Sequence, residues 1–405
     1  MGAGGAEDLG RDPGRGAVRV RVLHVITRLV VGGAQENTLL TVRHLDRGRY
    51  EVALASGPTL GPEGSLEAEV PRDVLFLRVP ELVRPPHPPK DAVALGKLYR
   101  LMRRGRYHIV HTHTTKAGLL GRLAARLARV PVVVHTPHGH AFHGYLSRAG
   151  SEALRRVEAT LARWTDAIVC LTEAERDDHL RLGVGEPWQF EVVHSGVDLA
   201  RFRMPPRDPE AKRRELGLPA AARVVGCVAR LAPVKGVQYL LEALPRIRAS
   251  VPEAVLVFVG DGELRPQLER RAQELGVDGA VRFLGLRRDV HEIVHLFDVS
   301  VLPSLNEGMG KAAVEAMAAG KPVVASAVSG LRDVVRPGRN GVLVPPGDPD
   351  ALSRAVLDLL NDSDRARRLG EAARQDAESY GVEAMVARLE ALYDRLLRTK
   401  GLGMR

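Results

Sequence analysis

From Val18 onward the chain alternates short β-branched runs with longer Ala-, Leu- and Arg-rich segments whose apolar residues recur at helical spacing. Strands buried on both faces read as continuous apolar runs, so this alternation predicts parallel strands joined by crossover helices. A first series places strands at 20–26, 52–55, 109–111, 132–135, 167–171 and 191–194. A charged stretch from Asp198 to Pro219 then breaks the pattern; it holds Met204-Pro205-Pro206 and Asp208-Pro209 and suits an interdomain connection. A second series follows at 224–229, 255–260, 281–284, 299–303, 322–325 and 341–344. The expected fold class is α/β, with two Rossmann-like doubly wound domains facing each other across a cleft. Residues 1–17 read as a disordered leader, 18–197 as the N-terminal domain and 198–370 as the C-terminal domain. Residues 371–405 carry a long amphipathic helical pattern with no strand after it, expected to pack back on the first domain.

Length supports two domains, because 405 residues exceed what one core usually serves. The longest apolar runs, such as 254–259, stop well short of the roughly 20 residues a membrane span needs, and no apolar signal core follows the N-terminus. A cytoplasmic protein is therefore expected. Only Cys170 and Cys227 occur, which excludes a disulfide framework and fits a reducing compartment; neither is given a role. Net charge is +10 and it is gathered: fifteen Lys or Arg stand against three acids between Arg84 and Arg163. Such a segment forms either solvated helix faces or a surface for anionic lipid head groups or a diphosphate-linked acceptor, each basic residue near a membrane adding about 1 kcal/mol. Nucleic acid is not expected as a partner, since aromatic content is only 4% and the basic region lacks interleaved aromatics.

The most informative stretch runs from Pro303 through Glu307-Gly308-Met309-Gly310 and Glu315 to Gly320. A strand end, a glycine turn and a helix start in succession leave backbone N–H groups free to face an anion, with the helix dipole behind them. Glu307 in the turn and Glu315 along the helix could accept from sugar and ribose hydroxyls at two heights of one nucleotide sugar. The second motif, Arg230 to Gly236, follows the first strand of the second series, where Arg230 and Lys235 can clamp two phosphates. In the first series, Gly32-Gly33 opens a helix after the first strand and serves either a diphosphate or a structural tight turn. Seven of the fourteen histidines fall between His108 and His143, including His111, His113, His135, His138 and His140. A polar wall facing the cleft accounts for them better than a zinc site, because the pairs lie at i, i+2 without Cys or carboxylate at ligand spacing; structural histidines remain the alternative. No metal ligand is assigned. Two other patterns are decoys. Gly260-Asp261-Gly262 lacks the third glycine of a dinucleotide fingerprint, and Pro266 is expected to interrupt the helix that would follow. Asp348-Pro349-Asp350 reads as a helix cap rather than a metal-binding acidic pair.

Together these motifs resemble the retaining glycosyltransferases of family four, which have the GT-B architecture. The resemblance spans nearly the whole chain from Val18. Its specific parts are the two glutamates 307 and 315, Arg230 with Lys235-Gly236, and the runs 111–118 and 135–139, the last especially similar to bacterial members that build capsule, exopolysaccharide or lipid-linked glycans. It implies that Glu315 holds the ribose, Glu307 and the backbone of Gly308 to Gly310 the donor sugar, and Arg230 and Lys235 the diphosphate. His138 would sit by the transferred sugar and Gly33 would approach the diphosphate. Met309 stands where many relatives have Phe and would alter the pocket wall. The implied reaction moves a sugar from a nucleotide diphosphate sugar, favoured as UDP-linked, to a glycan or lipid-linked acceptor, with retention and with neither metal nor cofactor. Catalytic roles are expected for His138, Glu307, Arg230 and Lys235. The expected partners are the donor, the acceptor and, at the periphery, the anionic inner face of a membrane met by the basic first domain. Two rivals share these features: a sugar-nucleotide epimerase on the same fold and a noncatalytic carbohydrate or nucleic-acid binder.

Overall fold

The computed structural model describes residues 19–59, 64–138 and 148–402, so the leader expected at 1–17 lies outside the described residues. Two parallel sheets are present. The first comprises β1 (Val20–Ile26), β2 (Tyr50–Ser56), β3 (Leu75–Arg78), β4 (Ile109–His113), β5 (Val132–Thr136), β6 (Ala167–Cys170) and β7 (Phe190–Val192), in the order β3-β2-β1-β4-β5-β6-β7. The second comprises β8 (Arg223–Val228), β9 (Ala254–Val259), β10 (Val281–Phe283), β11 (Val299–Leu302), β12 (Val323–Ser326) and β13 (Gly341–Val344), in the order β10-β9-β8-β11-β12-β13. Strand order reverses between β1 and β4 in one sheet and between β8 and β11 in the other. Doubly wound sheets open a crevice for ligands at such reversals, beyond the carboxyl ends of the strands.

Apolar packing on both faces explains why these runs become parallel strands. In the first sheet, Leu23, Val25 and Val110 pack on one side with Leu98, Ala117 and Ala124 of the covering helices. Val22, Ile26, Val52 and Val134 pack on the other, where the helix Val382–Thr399 supplies Val382, Met385, Val386, Leu389, Leu392, Tyr393 and Leu397. Those seven positions form one helical stripe, and each such side chain contributes roughly 1.5–3 kcal/mol when fully buried. The last helix of the chain thus closes the core of the first sheet. Arg49 fastens it with bonds to Asp394 at 2.6 Å and Glu390 at 3.3 Å. The return crossing is hydrogen-bonded to the outgoing one: Val197 N donates to Tyr380 O at 3.0 Å, and Val382 N donates to Val197 O at 3.1 Å.

Several expectations change in detail. The helical pattern over 371–397 is broken: one helix ends at Asp376, a tight turn covers Ala377–Tyr380, and Gly381 precedes the final helix. β3, a four-residue edge strand with two exposed positions, was not expected. Pro266 does not interrupt a helix; it lies in the first turn of Arg265–Glu274, where its missing N–H has no intrahelical partner to lose. Asp348 caps the helix Pro349–Asn361 by accepting from Ala351 N at 2.9 Å.

One buried charge pair ties the flank of the first sheet. Arg122, fully buried in the helix Thr115–Ala128, donates to Gly118 O at 2.9 Å and to Glu158 of the helix Arg148–Ala162 at 2.5 Å. Removing one partner leaves an uncompensated charge in the core, whereas removing both does not. Glu158→Leu is expected to cost about 3–5 kcal/mol in urea denaturation, and Arg122→Met with Glu158→Leu should recover most of that loss.

Candidate active site

Segments leaving the carboxyl ends of β1, β4, β5, β8 and β11 enclose a cavity of about 730 Å³. It is lined from the first half by Thr27, Arg28, Gln35, Thr114, Lys116 and His138, and from the second by Arg230, Lys235, Asn306, Glu307 and Gly308. Another hollow, of about 600 Å³, lies by Trp164 and Trp188 next to the amino ends of β5 and β6. It holds none of the residues expected to carry chemistry and lies away from both strand-order reversals, so the interdomain cavity is the candidate site.

In the second half the site is assembled by close backbone packing. Gly236 is left-handed (φ 62°), and a Cβ there would lie 2.0 Å from the carbonyl oxygen of Pro303. Only glycine lets the turn after β8 seat on the turn after β11. That contact brings Lys235 Nζ to 2.6 Å from Glu307 Oε2, an oxygen that also accepts from Ser304 Oγ at 3.0 Å. The turn carrying Glu307 is pinned from behind: Ser329 Oγ donates to Glu307 O at 2.9 Å, and a Cβ on Gly330 would fall 1.4 Å from Gly308 O. Gly310, left-handed at φ 79°, then starts the helix Lys311–Ala318. Arg230 lines the same cavity and forms no ion pair with a described residue.

Not every expected residue lines the cavity. Glu315 stands further back, its side chain 14% exposed and 3.8 Å from Lys311 Nζ, and burial pushes its carboxyl pKa up. Lys311 is also hydrogen-bonded to Glu36 of the helix Gly33–His44, so this lysine links the two halves. Glu36 and Lys311 gave no signal in the sequence, because neither lies in a motif that names its partner. Met309 does not form the pocket wall; its side chain is 4% exposed within the core of the second half. Gly32 and Gly33 do not line the cavity either, although the following Ala34 and Gln35 do. Nor do they form a tight turn: Gly32 has φ 170°, which any residue adopts, and a Cβ on Gly33 meets no atom within 4 Å. The space is open beside Gly33, whereas a Cβ on Gly32 would lie 2.9 Å from Gln35 Oε1.

The histidines require a larger correction. His111, His113 and His135 do not face the cleft; each is 2% exposed or less, inside the first half. His111 Nδ1 lies 2.6 Å from Tyr393 Oη of the last helix, and its Nε2 lies 2.7 Å from Thr136 Oγ1. His135 Nδ1 lies 2.9 Å from Thr112 Oγ1. His113 bridges two further rings, with Nε2 at 3.0 Å from His24 Nδ1 and Nδ1 at 3.0 Å from His138 Nε2. Among the described histidines only His138 reaches the cavity, half-buried and left-handed at φ 61°. His140 lies outside the described residues. One nitrogen from each of His24, His111 and His113 can be drawn within 4.8 Å of the others, but His111 and His113 already place both ring nitrogens on protein partners. The three rings form a hydrogen-bonded network in which His24 Nε2 alone has no partner among the described residues.

Residues 31–201 match the model of the family described as Glycosyltransferase Family 4, and residues 208–376 match that of Glycosyl transferases group 1. The chain is 32% identical over 347 residues to the Escherichia coli UDP-Gal:alpha-D-GlcNAc-diphosphoundecaprenol alpha-1,3-galactosyltransferase, covering 85% of this chain and 89% of that one. This chain belongs to the family-four glycosyltransferases. The enzyme is also 31% identical to the D-inositol 3-phosphate glycosyltransferase of Corynebacterium glutamicum over 90% of its own length and 91% of the relative's. Among solved structures, Anabaena HepE in complex with UDP-glucose superposes with a TM-score of 0.78 at 26% identity, covering 93% of this glycosyltransferase and all of HepE. The two parallel α/β halves are thus the GT-B fold expected from the motifs.

The buried rings are expected to make the glycosyltransferase acid-sensitive. Burial lowers the pKa of His24 and His138 to about 3, and holds His111, His113 and His135 well below their ordinary value. In the unfolded chain the same rings titrate near 6.5. Between those values the unfolded state binds more protons, so stability is full above about pH 6.5 and falls as pH drops, each ring costing up to ~1.4 kcal/mol per pH unit. The melting temperature is expected to fall steeply between about pH 6.5 and 5. A flat profile there would contradict the burial of neutral rings.

Proposed function

We propose that this glycosyltransferase moves a sugar from a UDP-sugar to a lipid-linked or glycan acceptor, with retention of configuration, in the synthesis of cell-surface polysaccharide or glycolipid. The observation that carries this reading is the convergence of Arg230, Lys235, Glu307, Gly308 and His138 on one cavity at the strand-order reversals of both sheets. Residues 198–370 are assigned to the donor and 18–197 to the acceptor side, with the helix at 371–405 returning to the first domain. Support for UDP and for a lipid-linked acceptor comes from the ligand named for HepE and from the substrate named for the Escherichia coli relative.

The Lys235–Glu307 contact suggests how binding proceeds. Lys235 and Glu307 neutralise each other across 2.6 Å, and a donor diphosphate competes for the lysine. Once the cation turns to phosphate, the carboxylate is released to accept from a hydroxyl of the donor sugar. Arg230 and the start of the helix Lys311–Ala318 add positive potential, with the backbone of Gly308, Met309 and Gly310 as donors. Glu315 receives the ribose, which requires Lys311 to stay with Glu36. Open space beside Gly33, just before the cavity-lining Ala34 and Gln35, lets the diphosphate approach from the first half. These cations stabilise the departing nucleotide, so the assigned chemistry calls for no cofactor, the nucleotide sugar being a co-substrate. Domain closure around the pair would exclude water and favour transfer over hydrolysis. A same-face displacement, in which the departing phosphate takes the acceptor proton, fits a site whose two described cavity carboxylates are already committed, Glu307 to the sugar and Asp91 to Lys116 at 2.6 Å.

Among the described residues no helix is long and apolar enough to cross a membrane. A peripheral position on the inner face, held by the basic first half, is the corresponding proposal for location.

Lys235→Ala is expected to lower turnover about a hundredfold in a UDP-release assay, by loss of one charge-assisted donor to the leaving group; activity within a few-fold of wild type would overturn its role. With a donor panel but no acceptor, the wild type should give slow hydrolysis and no epimerised nucleotide sugar. With bacterial lipid extract, the product should keep the donor's anomeric configuration by NMR, and an inverted product would refute retention.

A further inference from the structure

Three imidazoles form a single file from the interior to the cavity: His24, His113 and His138, with both ring-to-ring contacts at 3.0 Å. The family motif accounts for the last ring only. His24 comes from β1 and His113 from the end of β4, the two strands between which the first sheet reverses its order. His113 is further fixed by stacking on His111 at 4.3 Å, whose own nitrogens are held by Tyr393 and Thr136. The two terminal nitrogens of the file, His24 Nε2 and His138 Nδ1, are buried and have no hydrogen-bond partner among the described residues.

We propose that His24 and His113 are positioning residues that hold His138 in the tautomer carrying its proton on Nδ1, so that His138 meets the ligand as a hydrogen-bond donor and not as a base. Three neutral rings carry three N–H protons, and the two contacts use two of them. His113 has one proton, so it donates to one neighbour and accepts from the other, and the file must run in one direction. Running inward, His138 Nε2–H donates to His113, His113 donates to His24, and the third proton remains on His24 Nε2. That N–H is fully buried in the first half, where it meets no acceptor and forfeits its hydration. Running outward, His24 Nδ1–H donates to His113 Nε2, His113 Nδ1–H donates to His138 Nε2, and the third proton sits on His138 Nδ1. That nitrogen is as closed off as His24 Nε2 in the structure, but its residue is only half-buried and lines the cavity, so a small turn of the ring presents the N–H to water or to an oxygen of a bound molecule there, whereas His24 is fully buried. The outward direction is therefore set by what lies at the two ends. The ligand class follows: an oxygen lone pair, such as a hydroxyl of the transferred sugar. That identification rests on the donor-sugar reading of the cavity, whereas the direction of the file does not.

Histidine-selective ¹⁵N NMR on the ligand-free wild-type protein tests the direction without any variant. The His138 signals should show a protonated Nδ1 and an unprotonated, accepting Nε2; a proton on Nε2 overturns the proposal. Two variants then test whether His113 does the holding. His113→Asn keeps an N–H donor near the position of Nδ1–H and should preserve both the His138 tautomer and the rate of UDP release from a UDP-sugar. His113→Leu removes the donor, so the His138 signals should become those of a tautomer mixture. Its kcat should fall tenfold or more while calorimetric affinity for UDP stays within twofold. An unchanged tautomer and rate in folded His113→Leu would overturn the positioning role. If the leucine variant does not fold, the wild-type spectrum with His24→Asn, expected to retain the Nδ1–H signature, still decides. A protein that shows the expected tautomer yet releases no UDP from any sugar nucleotide would refute the proposed reaction and leave the file standing.

Discussion

Lys235 and Glu307 lie seventy-two positions apart in the chain and still come within hydrogen-bonding distance. What allows this is the absence of a side chain at Gly236. The turn after β8 lies so close to the turn after β11 that any Cβ would enter the carbonyl oxygen of Pro303. Most of the second half of the site depends on this contact. It sets the height of Lys235 relative to the carboxylate, and the pinning of Gly308 by Gly330 sets the carboxylate relative to the helix start. Rigid backbone, and not side-chain reach, holds the charges in place, which is what preorganised stabilisation of a leaving group requires. The first half works differently. There, among the described residues, a single imidazole reaches the cavity, and the rings behind it are held by one another and by Thr136 and Tyr393.

Periodicity made the two sheets legible, because parallel strands covered on both faces read as uninterrupted apolar runs. β1 and β13 coincide with the runs that mark them, and the other predicted strands differ by a few residues at their ends. β3 escaped because it is short and at the edge, where half its side chains meet solvent and the run loses its apolar character. The break at Ala377–Tyr380 escaped for another reason: a turn of tight helix keeps enough helical spacing to look continuous, and only Gly381 marks the change of direction.

At the site, the charged motifs were readable because strand-to-helix turns have a fixed place in this architecture. Which face a polar strand residue takes was not. His111 and His113 alternate with Thr112 at a strand end, a pattern that suits a cleft wall as well as an interior. The deciding partner, Tyr393, stands 282 positions away and gives no local sign. His24 was overlooked for the same reason, since a lone histidine inside an apolar run carries no chemistry until its neighbours are known. Met309 and the pair Glu36 and Lys311 belong to this class, their environments being set by packing between distant elements.

The return of the final helix to the first sheet has a consequence for how the protein is made. A ribosome releases residues 20–192 long before 382–399, so the sheet that forms first emerges with one face lacking Leu389, Leu392, Tyr393 and their neighbours. His111 lacks its tyrosine for the same interval. The second half, whose strands and covering helices are contiguous in the chain, can complete its own core while the first waits. The order of synthesis is therefore the reverse of the order of completion, and the nascent first half carries an uncovered apolar face until residues 382–399 have been made.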